Sequence, residues 1–97
     1  MIPGTVSKMS ESTVASAATI EANTDIVLVT GTTAINTINP GLGNFPSQFL
    51  VLIPTNAAGV TLGTSGNINV GIAAAQNRAV FMVFVRSLGK WFINSGV

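Results

Sequence analysis

Short apolar runs alternate with polar turn residues along most of the chain, and this pattern predicts an all-β fold. Glycine, asparagine, serine and proline separate the runs at the short intervals typical of small sheet proteins. One alanine-rich stretch, residues 70–77, is a candidate for a short helix. The predicted strands are Val14–Ile20, Ile26–Thr30, Ala34–Ile38, Gln48–Ile53, Val60–Leu62, Ile68–Val70, Ala79–Val85 and Lys90–Ile93.

The predicted strands 48–53 and 79–85 are apolar at consecutive positions, so each is expected to lie centrally with both of its faces covered. Residues 86–93 predict a hairpin that turns at Gly89 and ends the fold with an antiparallel pair. Residues 26–38 resemble successive rungs with threonine and asparagine at the corners. We therefore expect a small single domain of short, mainly antiparallel strands, with barrel-like, sandwich-like and rung-like packing all open.

The first thirteen residues show neither a helical nor a strand period. They are interpreted as an N-terminal arm, residues 1–13, ahead of an all-β domain at 14–97. The arm is either a frayed terminus or a segment that orders against a neighbouring chain through Ile2, Val6 and Met9.

Charge is scarce, because 7% of the residues are charged and 47% are hydrophobic, whereas soluble domains carry about a quarter charged residues. A surface so poor in charge resists self-association weakly, which favours a subunit of a larger assembly. The net charge of +1 and the scattered basic residues argue against nucleic-acid binding. The apolar runs are too short for a membrane-spanning helix, and the N-terminal residues lack the apolar core of a signal peptide.

The residue types that support catalysis are few. The chain has no histidine and no cysteine, so the usual nucleophilic triads and zinc ligands are missing. Glu21 and Asp25, on one predicted turn, are the remaining candidates for an acid–base pair, and turn solvation explains them better. Asn23 and Asp25 lack the rest of a calcium loop. We expect no enzymatic activity, no cofactor and no metal.

Several segments together resemble small β-modules of tailed-bacteriophage virion structural proteins, of the capsid decoration (cement) or head-fibre type. The resemblance covers about residues 13 to 93 and is carried by residues 13–20, 25–38, 49–54, 60–68, 77–79 and 89–91. It implies a non-enzymatic homotrimer located on the capsid surface of the virion and made in the cytoplasm of the host bacterium. Decoration is favoured over a fibre because the chain is little longer than the module.

As a decoration protein, the chain is expected to bind the major capsid protein on the outer capsid surface and to stabilise the shell. The expected capsid contacts are Ile2, Val6 and Met9, and the expected subunit contacts are Ile26, Leu28, Ile35 and Ile38. The alternative is a receptor-binding or structural module of a phage tail fibre or spike. Such a module would present the turns 56–59 and 63–67 to a glycan.

Overall fold

The computed structural model describes residues 10–41 and 47–93, which form an all-β domain. The prediction of an all-β fold is confirmed. None of the described residues forms a helix with the length and apolarity needed to cross a membrane. The nine strands are β1 (Glu11–Ala15), β2 (Thr19–Ala22), β3 (Ile26–Thr30), β4 (Thr37–Pro40), β5 (Ser47–Pro54), β6 (Val60–Leu62), β7 (Ile72–Ala74), β8 (Val80–Val85) and β9 (Lys90–Ile93).

The strands form one large sheet and two small ones. The large sheet has five strands in the order β1-β3-β5-β8-β9, while β2 pairs with β4 and β6 pairs with β7. Strand pairs β1–β3, β3–β5 and β2–β4 are parallel, and β5–β8, β6–β7 and β8–β9 are antiparallel. The expectation of mainly antiparallel strands is therefore wrong, because half of these pairings are parallel.

The parallel pairings arise because the chain winds in successive coils. After β1 the chain turns into β2 in another sheet, and it then returns to lay β3 beside β1 in the same direction. A second coil passes through an isolated parallel bridge between Ile35 and Leu62 and through β4, which lies beside β2. The rung-like packing is thus the one adopted by the first half of the chain, and β8 and β9 extend its large sheet.

The core lies between the inner face of the five-stranded sheet and the two small sheets. Alternation along each strand decides which side chains enter it: in β3, Val27 and Val29 are buried while Ile26 and Leu28 are partly exposed. Trp91 is completely buried and packs against the ring of Phe84, 5.2 Å between centroids. Each fully buried aliphatic or aromatic side chain of this kind contributes about 1.5–3 kcal/mol through the hydrophobic effect.

Side-chain amides and an indole complete the backbone hydrogen bonding around Ile38. The Ile38 N–H donates to Asn67 Oδ1 (2.9 Å), and Asn67 Nδ2 donates back to the Ile38 carbonyl (2.7 Å). The buried Trp91 Nε1–H donates to the same carbonyl at 2.8 Å. Asn67 therefore supplies the hydrogen bonds that a neighbouring strand would otherwise make to the backbone of Ile38 in β4. Among the described residues, no side-chain polar atom is buried without a hydrogen-bond partner.

Three predicted strands agree with the structure at both ends, namely 26–30, 60–62 and 90–93. The predicted strand 14–20 is divided between β1 and β2, because the chain turns the corner of its first coil at residues 16–18. Ser16 holds this corner, since its N–H donates to the Thr30 carbonyl (2.7 Å) and its Oγ accepts from the Thr33 N–H (2.9 Å). The strand β1 begins at Glu11, so residues 11–13 belong to the sheet and not to the predicted arm.

The helical candidate at 70–77 is a strand in its centre. Residues Ile72–Ala74 form β7, which pairs with β6 through Val60, Thr61 and Leu62. Pairing with a neighbouring strand and burial of Ala74 outweigh the helical propensity of alanine, which is a weak preference. The predicted strand 68–70 is reduced to a single bridge between Ile68 and Trp91.

Gly59 and Gly89 are two of the three described glycines whose φ lies in the left-handed region. Gly89 has φ of 67° in the β8–β9 hairpin predicted from the sequence, and nothing lies within 4 Å of where a β-carbon would stand. Gly59 has φ of 72°, and a β-carbon there would collide with the Ala74 carbonyl. Both positions therefore require a left-handed backbone, but only at Gly59 does a neighbouring group, the Ala74 carbonyl, leave no room for a side chain.

We predict that Gly59→Ala destabilises the domain more than Gly89→Ala. Both changes impose about 1–2 kcal/mol for a left-handed alanine. Gly59→Ala adds a steric cost of about 1–3 kcal/mol, because the Ala74 carbonyl must move. Urea unfolding of both variants at one protein concentration measures the difference, and equal unfolding midpoints would contradict the close approach at Gly59.

We also predict that Asn67→Ala lowers the free energy of unfolding by about 1–3 kcal/mol, because the Ile38 N–H loses its acceptor. The matched control is Asn56→Ala, which removes a 2.8 Å bond from the exposed Ala58 N–H that water can replace. Thermal unfolding followed by circular dichroism compares the two variants. An equal loss of stability would show that Asn67 does not substitute for a strand.

Candidate assembly surface

The five-stranded sheet carries a second apolar face, on the side opposite the core. We call this the outer face. The side chains that alternate with the core residues of β3, β5, β8 and β9 point to it. Its apolar members are Ile26, Leu28, Phe49, Val51, Ile53, Phe81, Val83, Val85 and Phe92.

The outer face exposes large hydrophobic side chains at its centre. Phe49 is 46% exposed, Phe81 50% and Val83 39%. The rings of Phe49 and Phe81 stack on each other, with centroids 6.0 Å apart and planes inclined by 24°. Val51, which is directly opposite Phe81 and two residues from Phe49 on β5, is nearly covered by its neighbours. About half of the surface of each of these two phenylalanines is therefore open to solvent.

Strand register makes the outer face continuous. Ile26 aligns with Val51 and Val51 with Phe81, which forms one row across β3, β5 and β8. A second row runs from Phe49 through Val83 to Phe92. Aligned side chains on neighbouring strands lie about 5 Å apart, so the rows form one apolar surface.

The charges of this sheet lie at its two edges. Glu11 on β1 and Lys90 on β9 are the charged residues within its five strands, and both are exposed. Val14 packs against the core from β1 and Trp91 from β9, so Glu11 and Lys90 alternate with the core side and belong to the outer face. The face is thus neutral and apolar inside, with an acidic edge and a basic edge.

The structure divides the four residues expected at a subunit interface into two pairs. Ile26 and Leu28 lie on the outer face and are partly exposed. Ile35 and Ile38 are completely buried in the core of the chain itself. Their burial removes Ile35 and Ile38 from the expected contact, because a side chain with no accessible surface cannot touch a second subunit.

The residues expected to contact the capsid, Ile2, Val6 and Met9, lie outside the described residues. The sequence pattern did not predict that Phe49, Phe81 or Val83 lies at the surface. The sequence feature that points to such residues is the apolar character of both faces of strands 48–53 and 79–85. The central position of these strands is confirmed, but the described chain covers only one of their two faces.

The candidate acid–base residues take part in local structure. Glu21 Oε2 accepts a 2.7 Å hydrogen bond from Asn39 Nδ2 on the neighbouring strand β4. Asp25 Oδ2 accepts from the Ser10 N–H (3.2 Å) and from Ser10 Oγ (3.3 Å), which ties the start of β1 to the start of β3. Within residues 10–41 and 47–93, no three acidic, histidine or cysteine side chains come together to hold a metal ion.

The pocket beside β7 and the two turns considered for glycan binding offer little chemistry. A shallow pocket beside β7 is lined mostly by alanine and backbone, with Arg78 as its charged side chain. Of the turns considered for glycan binding, residues 63–67 use the Asn67 amide to hold Ile38, and residues 56–59 use Asn56 to bind the Ala58 N–H. Their amide groups thus stabilise the fold.

Comparison with known proteins finds no matching family model, no matching curated protein and no matching solved structure.

Proposed function

We propose that this chain is a non-enzymatic structural subunit, a bacteriophage capsid decoration (cement) protein that forms a homotrimer and binds the outer capsid surface to stabilise the shell. The observation that carries the proposal is the exposed apolar outer face of the five-stranded sheet. A sheet with two apolar faces needs cover on both, and the described chain supplies cover on one.

The free energy available on the outer face is large for a small domain. A phenylalanine side chain buries about 150–250 Å² when fully covered. Covering the exposed halves of Phe49 and Phe81 removes about 200 Å² of apolar surface from water, a gross gain of about 5 kcal/mol. Exposed patches of this kind mark interaction surfaces in soluble proteins.

The polar side chains support a structural role. Glu21, Asp25 and Asn67 each hold backbone or side-chain groups of neighbouring strands together. These hydrogen bonds make the described polar groups part of the framework. A protein whose polar groups maintain the fold and whose apolar face is exposed is suited to assembly.

The capsid partner in the proposal comes from the resemblance of residues 13–93 to virion β-modules. On this proposal the arm contacts the major capsid protein through Ile2, Val6 and Met9. Three linked arms bind a shell more tightly than one, because the first attachment raises the effective concentration of the other two. The protein would then be made in the bacterial cytoplasm and would reside on the virion surface.

We predict that deletion of residues 1–9 leaves the mass of the protein in solution at three chains but lowers binding to capsids at least tenfold. The deletion ends before β1, so the sheet and its outer face are retained. Light scattering measures the mass. Co-sedimentation measures binding to shells assembled from the major capsid protein encoded in the same genome.

The matched control keeps the length of the arm and replaces its apolar residues, in the triple variant Ile2→Ser, Val6→Ser and Met9→Ser. Loss of binding in both variants would support an apolar arm contact. Full capsid binding by the deletion variant would overturn the arm contact. Binding to purified tails and not to capsids would favour the fibre or spike module instead.

A further inference from the structure

We infer that three copies of this chain close around a threefold axis with their outer faces toward the axis, so that the Glu11 edge of each copy meets the Lys90 edge of the next. This inference rests on the proposed homotrimer and specifies the surface that forms it. It assigns Phe49 and Phe81 to the centre of the interface.

Charge complementarity identifies another copy of the chain as the partner. Between Glu11 on β1 and Lys90 on β9, every outward position of the five strands is apolar or uncharged. The outer side of β9 is lined by residues 67–69 of the same chain, since the Trp91 N–H donates to the Asn67 carbonyl and the Trp91 carbonyl accepts from the Asn69 N–H. In a ring of identical copies, β1 of one copy therefore faces the β9 end of its neighbour's sheet, and the contact is made through outer-face side chains. This arrangement pairs an acidic with a basic side chain at each of the junctions and leaves no charge in the apolar interior.

Strand register places the two charges symmetrically about Phe49. Glu11 aligns with Ile26 on β3 and, through it, with Val51 on β5. Glu11 therefore lies two strands from Phe49 and is displaced from it by two residues in the forward direction of β5. Lys90 aligns with Val85 on β8 and, through it, with Ser47 on β5. Lys90 therefore lies two strands from Phe49 on the other side and is displaced from it by two residues in the backward direction of β5. Phe49 is therefore at the midpoint of the line that joins the two charges.

The same register gives the tilt of the strands in the ring. Four residues along a strand are about 13 Å and four strand spacings are about 19 Å, so strands tilted about 35° from the axis bring Glu11 level with Lys90 of the next copy. This tilt places the two charges at the same height along the axis.

The width of the sheet suits three copies. At this tilt each wall spans about 23 Å across the axis, so three walls form a triangular prism in which each wall lies about 6.6 Å from the axis, while packed sheets are about 10 Å apart. Half of that separation is one average layer of side chains, and phenylalanine is longer than an average side chain, so the rings of Phe49 and Phe81 reach toward the axis. Three pairs of Phe49 and Phe81 rings then meet at the axis.

The first test removes the rings. We predict that wild-type protein has the mass of three chains by light scattering and that the double variant Phe49→Thr, Phe81→Thr is monomeric at the same concentration. Threonine retains strand propensity at these outward positions, and circular dichroism checks that the sheet is formed. The matched control is Leu88→Thr in the β8–β9 turn, where Leu88 is 63% exposed and lies outside the strands that form the outer face.

The inference is supported if the double variant dissociates while Leu88→Thr remains a trimer. It is overturned if the double variant stays trimeric with its sheet intact, or if wild-type protein has the mass of one or of two chains. A monomer that still binds capsids would overturn the inference and leave the decoration function standing. A trimer that depends on Phe49 and Phe81 but binds no capsid would support the inference and overturn the decoration function.

The second test exchanges the edge charges. We predict that Glu11→Lys and Lys90→Glu each raise the dissociation constant of the trimer several-fold, and that the double exchange restores it because the pair is re-formed with opposite polarity. Arg78→Glu changes the net charge as much as Lys90→Glu does, and it should have no such effect. Single variants that weaken the trimer with no recovery in the double exchange would overturn the pairing of Glu11 with Lys90.

Discussion

The pairing of β5 with β3 on one side and β8 on the other joins the two halves of this fold. The parallel coils of the first half end at β5, and the antiparallel strands of the second half begin their contact there. Strict alternation along β5 sends Leu50 and Leu52 into the core and Phe49 outward. Because both sets are apolar, β5 contributes apolar side chains to the core and also to the exposed outer face.

The uncharged polar residues act mainly as partners for the backbone. Gln48 Nε2 donates to the Ala22 carbonyl (3.0 Å), Thr24 Oγ1 donates to the Ile26 carbonyl (2.8 Å), and Asn67 bonds both the N–H and the carbonyl of Ile38. Such bonds close the corners of the coils, where the chain leaves one sheet for another. A composition rich in threonine and asparagine is therefore a requirement of the fold as well as a substitute for surface charge.

The outward positions of β3, β5 and β8 carry no charge, and the charges of the large sheet lie on its first and last strands. Any additional charge on β3, β5 or β8 at an outward position would be buried in an assembly and would need a partner there. Keeping Glu11 and Lys90 at the edge strands leaves each near water and still able to select orientation. In the proposed trimer, the rings at the centre would supply affinity and the charges at the rim would supply specificity.

Local patterns in the sequence determined the fold class, the bounds of strands such as 26–30 and 90–93, the Gly89 hairpin and the central place of strands 48–53 and 79–85. These features follow from alternation and turn chemistry within a few residues. Only the tertiary structure decided that β1, β3 and β5 run parallel and that residues 72–74 form a strand. It also decided that Ile35 and Ile38 are buried while Phe49 and Phe81 are exposed. Both faces of β5 are apolar in the sequence, and pairing between residues distant along the chain determines which of them the chain itself covers.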